Sequence, residues 1–102
     1  MKLSQLAQYN GKKNEKTYLS CKGIVFDVSS SDFYTGDGNY NCFSGKDCSV
    51  NLAKMSFDEK DYNQYNNVEL TLSEKDILDQ WYEKFYQKYP IVAKISETRK
   101  DN

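Results

Sequence analysis

Nine tyrosines, three cysteines and no histidine define the chemistry open to this 102-residue chain. Histidine is the usual neutral nitrogen ligand for iron, zinc and copper, and the usual proton shuttle near neutral pH. Its absence excludes Ser-His-Asp triads, HExxH zinc sites and iron held between paired histidines. A metal centre here must draw on Tyr, Cys or Met, and the tyrosine count makes a phenol oxygen the first candidate. Cys21, Cys42 and Cys48 are odd in number and lack CxxC spacing. That excludes a zinc ribbon and argues against a secreted disulfide framework. The Gly36-x-Gly38 pair is not followed by the Lys-Ser/Thr of a phosphate loop, and Asp37, Asp58 and Glu59 lack EF-hand spacing. Scattered carboxylates and thiols supply no acid, base and nucleophile in concert, which argues against catalysis.

The densest chemistry lies in Phe33 to Gly45 (FYTGDGNYNCFSG), with three glycines and four aromatic rings in thirteen residues. Such a loop is aromatic-walled and conformationally specialised, beyond what a connection needs. The elements that must hold it follow from local patterns. Leu3, Leu6 and Tyr9 predict a short helix over 4–9, ended by Asn10-Gly11. Residues 11–16 form a charged loop. Tyr18 to Cys21 and Ile24 to Val28 are β-rich runs joined by Lys22-Gly23, a hairpin with Ile24, Phe26 and Val28 facing the core. Residues 46–56 read as a helix with Val50 and Ala53 inward, and Ser56-x-x-Glu59 as a capping box for another short helix. Residues 61–67 are polar and irregular.

The strongest helix runs over 74–89. Ser73 is its expected N-cap, and Ile77, Trp81 and Phe85 recur at four-residue spacing, with Leu78, Tyr82 and Tyr89 widening the stripe. Trp81 and Phe85 are expected in the core. Pro90 stops the helix, residues 91–95 resemble a final strand, and 97–102 look like a disordered tail. The order is helix, hairpin, cluster of short helices, long helix, strand: an α+β fold in one domain over 1–96. The formal net charge is −1, from 14 basic and 15 acidic residues with interspersed signs. That lacks the basic face needed for nucleic acid. No apolar run approaches the ~20 residues that cross a bilayer, and no signal-peptide pattern opens the chain.

Several strings in this order resemble the cytochrome b5-like haem/steroid-binding domain, in its membrane-associated progesterone receptor branch. They are Leu6-x-x-Tyr9-Asn10-Gly11, Lys22 to Val28, Phe33-Tyr34 to Tyr40-x-x-Phe43, Gly45-Lys46-Asp47-x-Ser49 with Leu52-Ala53, and Trp81 to Lys88-Tyr89-Pro90. The match covers about Leu3 to Ile95. It implies a cytochrome b5-like fold, a small mixed sheet with short helices forming a haem pocket. In that branch a tyrosine phenolate holds the iron on one side and the other side is open. The resemblance places this metal ligand on Tyr40. Tyr34, Lys88 and Tyr89 fall on positions that hydrogen-bond to the ligand or to the haem propionates.

The implied cofactor is thus a ferric, five-coordinate b-type haem. The resemblance also implies partners among membrane-bound haem-thiolate monooxygenases of sterol metabolism, with a sterol as a further ligand. Location would be the cytoplasm or the cytoplasmic face of the endoplasmic reticulum. A monomer, or a dimer stacking haem on haem, is the implied assembly. The sequence departs from the pattern where Thr35-Gly36 stands for Gly-Pro and Lys46 for Arg. Losing the proline frees the loop and is expected to lower haem affinity; Lys keeps the charge but not the bidentate fork. Cys42, two residues after Tyr40, offers a thiolate as an alternative ligand, and Lys46 a propionate contact. A haem-free protein- or lipid-binding adaptor of the same fold is the competing reading.

Overall fold

A computed structural model describes residues 1–96. The hairpin forms where the sequence places it. Lys22 (φ 55°) and Gly23 (φ 76°) both take the left-handed conformation, as a two-residue turn matched to strand twist requires. This pairs β1 (Tyr18–Cys21) antiparallel with β2 (Ile24–Asp27), Cys21 facing Ile24. β3 (Ile91–Lys94) adds antiparallel to the free edge of β2, giving the order β1-β2-β3. The one parallel pairing among the described residues is an isolated bridge between Ser20 and Asp47. The expectation for the tail, 97–102, falls outside the described residues.

β2 serves two cores because its successive side chains point to opposite faces. Phe26, followed by Val28, packs with Leu19, Phe43, Leu78 and Phe85 in the main core. Val25 turns the other way, into a small cluster with Leu6, Tyr18 and Ile95. The first helix, α1 (Leu3–Leu6), is shorter than the predicted 4–9. The chain leaves it so that Tyr9 can accept from the Tyr18 amide at 2.8 Å and stack on the Tyr18 ring at 4.4 Å.

α2 (Ser49–Lys54) starts later than the predicted 46. Residues 46–48 are instead tied to β1, with the Ser20 amide donating to Lys46 and the Cys48 amide to Ser20, both at 3.0 Å. Asp47 fixes this junction. It is buried, and its carboxyl accepts from Ser20 Oγ at 2.6 Å and from the Ser49 amide at 3.0 Å. A 3-10 turn over Glu59–Asp61 is capped by Asp58 and not by Ser56, whose hydroxyl accepts from the Asp58 amide.

α3 (Leu72–Lys88) is capped by Thr71, two residues before the predicted Ser73. Thr71 Oγ1 accepts from the Glu74 amide at 3.1 Å while Glu74 Oε1 accepts from the Thr71 amide at 2.9 Å. That reciprocal pair needs its cap three residues before the acid. The buried stripe of α3 is also rotated from the predicted one: Leu78 and Phe85 are buried, whereas Ile77 and Trp81 are half-buried. Phe26 sets the rotation, stacking on Phe85 at 5.5 Å and meeting Tyr82 edge-on at 5.8 Å. Trp81 is thereby left half-buried at the border of the main core, facing Tyr40 of the aromatic loop.

That loop is pinned by its own polar groups. The Tyr40 amide donates to Phe33 O at 2.8 Å, and the Gly38 amide to Thr35 O at 2.9 Å. Thr35 Oγ1 donates to Ser31 O at 2.6 Å and Asn41 Nδ2 to Gly36 O at 2.7 Å. These side chains restrain the turn where a proline is missing. A Cβ on Gly38 would fall on the carbonyls of Asp32 and Phe33, so this position has no room for a side chain. Gly36, at φ 54°, faces open space.

Two glycine variants separate these demands. Gly36→Ala is expected to cost about 1–2 kcal/mol for its positive φ and to leave the emission of the single tryptophan, Trp81, unchanged. Gly38→Ala is expected to cost up to about 3 kcal/mol by overpacking and to shift that emission, because the loop must open beside the helix. Denaturant melts and fluorescence check both; an unshifted Gly38→Ala spectrum contradicts the close approach.

Candidate functional site

The loop and the last two turns of α3 face each other across a cleft of about 630 Å³, lined by Phe33, Tyr34, Tyr40, Trp81, Lys84, Phe85, Gln87, Lys88 and Tyr89. Its size is that of a pocket for a drug-sized ligand or cofactor. Each of the four site residues named from the sequence, Tyr34, Tyr40, Lys88 and Tyr89, lines it.

The three tyrosines differ in surroundings. Tyr34 is 5 % exposed, its ring 5.7 Å from Tyr40, 5.8 Å from Phe85 and 6.2 Å from Tyr89. Burial pushes its phenol well above the ordinary value, and the neighbouring Cys48, Tyr89 and Tyr40 add to the rise. At neutral pH Tyr34 is a neutral hydroxyl. Tyr40 is half-buried and spans the cleft edge, 6.2 Å from Phe33, edge-on to Trp81 at 6.2 Å, and stacked on Phe57 at 5.8 Å and Phe43 at 6.0 Å. Tyr89 is buried at the floor, where α3 ends in the extended backbone that a following proline imposes. The Lys88 ammonium lies 5.8 Å from the ring centres of both Phe33 and Tyr89.

Other candidates lie elsewhere. Cys42 and Lys46 line a polar pocket of about 460 Å³ that shares Tyr34 with the cleft. Lys46 Nζ donates to Cys42 O at 2.6 Å and sits 4.6 Å above the Tyr62 ring, so it is engaged away from the cleft. Cys21 and Cys48 are fully buried, and burial pushes both thiols up, leaving them protonated. Among the described residues no group of three His, Cys, Asp or Glu side chains could hold a metal ion. Trp81 and Lys84 are cleft residues that the sequence reading assigned to the core or left unassigned. The available signal was Trp81-x-x-Lys84-Phe85-x-x-Lys88, one face of a helix ending beside the loop.

The donor set suits a flat macrocycle bearing carboxylates. Aromatic rings line the walls, one phenol is half-buried, another is buried and neutral, and two lysines line the same cleft. Haem is a macrocycle of this kind, and Tyr40 is the half-buried phenol that the cleft offers it.

Comparison with known proteins agrees on the fold. The profile of the cytochrome b5-like heme/steroid binding domain matches residues 2–96. "Probable steroid-binding protein 3" of Arabidopsis thaliana is 44 % identical over 89 % of this chain and 92 % of its own length. The cytochrome P-450 regulator Dap1 of Schizosaccharomyces pombe is 36 % identical over 94 % of this chain, which spans 62 % of that protein. A solved Arabidopsis thaliana structure, described as having a cytochrome b5 like fold, superposes with a TM-score of 0.80 at 40 % identity, covering 93 % of this chain and 88 % of that one.

Burial of Tyr34 has a pH signature. In the unfolded chain the phenol ionises near pH ~10. Above that pH the unfolded state gives up a proton that the folded state keeps. The Tyr34 contribution to stability, full below pH ~10, therefore declines as pH rises towards the folded phenol's value, by at most about 1.4 kcal/mol per pH unit. Tyr62, pushed up to about 12 mainly by burial and its hydrogen bond with Cys42, adds to the same decline. Tyr34→Phe is expected to flatten this decline in urea melts from pH ~9 to ~11 without removing it; an unchanged slope contradicts the assignment.

Proposed function

The chain belongs to the cytochrome b5-like heme/steroid binding domain family, beside membrane steroid-binding proteins and progesterone receptor components, and from that membership we propose that its aromatic cleft is a haem site with Tyr40 as the axial ligand. The observation that carries this reading is the convergence of Tyr34, Tyr40, Tyr89 and Lys88 on one cleft in a chain without histidine. A free tyrosine, with a pKa near ~10, ligates poorly at neutral pH. A bound ferric centre supplies the positive charge that stabilises its phenolate, and tyrosinate is an attested axial haem ligand.

The remaining residues act around that oxygen. Tyr34, kept neutral by burial, donates a hydrogen bond, and Lys88 adds positive charge at the rim; both favour the phenolate. Tyr89 closes the floor and Trp81 and Phe33 exclude water from the flanks. An anionic oxygen ligand favours the ferric state and a low potential. That suits a haem carrier or regulator better than an electron shuttle, and the site needs no catalytic group of its own.

By analogy with the regulator Dap1, the partner class is a membrane-bound haem-thiolate monooxygenase of sterol metabolism, at the cytoplasmic face of the endoplasmic reticulum or in the cytoplasm. No helix of the described residues is long and apolar enough to cross a membrane. A haem-free protein- or lipid-binding adaptor is the second reading, favoured by the exposed Met55 and Phe57 beside Tyr40.

Titration with ferric haemin tests the proposal. Stoichiometric binding with a high-spin ferric spectrum is expected. Tyr40→Phe keeps the stacked ring and is expected to abolish that spectrum; unchanged affinity in this variant removes the ligand assignment. Tyr34→Phe is expected to weaken binding by about 1 kcal/mol, one lost hydrogen bond; complete loss would reverse the roles of the two tyrosines. Absence of saturable binding by the unaltered protein would put the adaptor first.

A further inference from the structure

The haem reading gives Lys88 a role at the cleft rim but leaves Lys84, which lines the same cleft, without one. Lys84 and Lys88 stand four residues apart on α3, both exposed and both lining the cleft. Like charges at this spacing face each other along a helix and weaken it. Neither belongs to an ion pair among the described residues, where the three pairs engage Lys16, Lys22 and Lys54. Of the four α3 acids, Glu74 and Asp79 are engaged by Lys54 and Lys22, and among the described residues neither Asp76 nor Glu83 is in an ion pair or lines the cleft. The Lys84 ammonium lies 5.1 Å from the centre of the Trp81 ring, and the Lys88 ammonium 5.8 Å from that of Phe33. Two unneutralised charges thus sit over two different rings lining one cleft.

We propose that Lys84 adds a second carboxylate contact beside Lys88, which the family resemblance already places at a haem propionate. The pair thus clamps a flat dianionic ligand, and the cleft selects porphyrin dicarboxylates over neutral polycycles of the same shape. Binding such a ligand also removes the repulsion within α3. Lysine suits this task because a point charge with three donors on a flexible stem adapts to either carboxylate. The identity of the ligand as a porphyrin rests on the haem reading, but the clamp itself needs no iron.

Iron-free protoporphyrin IX and its dimethyl ester separate the two ideas, since neither can be ligated by Tyr40 through a metal. The unaltered protein is expected to bind the free acid more tightly than the diester, by an advantage that salt erodes. Lys84→Gln, at an exposed position where folding is checked by circular dichroism, is expected to weaken the acid up to about fivefold. It should leave the diester unaffected, and Lys84→Arg should restore the acid. Equal binding of acid and diester by the unaltered protein, no binding of either, or equal weakening of both by Lys84→Gln overturns the clamp. Acid selectivity that persists in a protein failing to bind haemin would remove the haem reading and leave the clamp standing.

Discussion

Phe85 is where sheet, helix and loop meet. Its ring, 2 % exposed, stacks on Phe26 of the sheet at 5.5 Å and touches Tyr34 of the loop at 5.8 Å. It also meets Trp81 of its own helix at 6.2 Å and Tyr89, the residue that ends that helix, at 6.0 Å. A close-packed interior transmits such contacts rigidly. The side of Phe85 that faces the sheet fixes the rotation of α3, and that rotation decides which residues of the helix line the cleft. Trp81, Lys84 and Lys88 line it because Leu78 and Phe85 are the residues taken into the core.

Much of the fold is legible in the sequence because local chemistry and tertiary packing agree. Lys22-Gly23 names its own turn, and Pro90 ends α3 wherever the core lies. Disagreements arise where a longer-range bond competes. Residues 46–48 carry a helical pattern, but the buried Asp47 carboxyl holds them against Ser20 of β1, so α2 starts three residues late. Ser73 is a plausible cap in isolation, yet the Thr71–Glu74 reciprocal pair satisfies two backbone groups and takes the start of the helix. The stripe through Ile77, Trp81 and Phe85 is a valid helical face; only contact with Phe26 selects the face through Leu78 and Phe85.

The candidate site is legible in a different way. Tyr34, Tyr40, Lys88 and Tyr89 come from a resemblance, and the geometry gathers them around one cleft. What no spacing rule conveys is the contrast between two tyrosines six residues apart. Tyr34 is buried and held neutral; Tyr40 is half-buried at the edge of the cleft. One residue type thus stands in two environments, which is what the proposed division into hydrogen-bond donor and oxygen ligand rests on. Where the proline is missing, the side chains of Thr35 and Asn41 bond the turn directly.

Resonance Raman spectroscopy of the ferric haem complex, prepared with ring-deuterated tyrosine, addresses the axial oxygen most directly. A phenolate bound to iron couples its ring vibrations to the charge-transfer band, so ligation by Tyr40 requires bands that shift on deuteration and vanish in Tyr40→Phe. A complex whose spectrum carries no deuterium-sensitive phenolate bands would contradict tyrosinate ligation in this cleft.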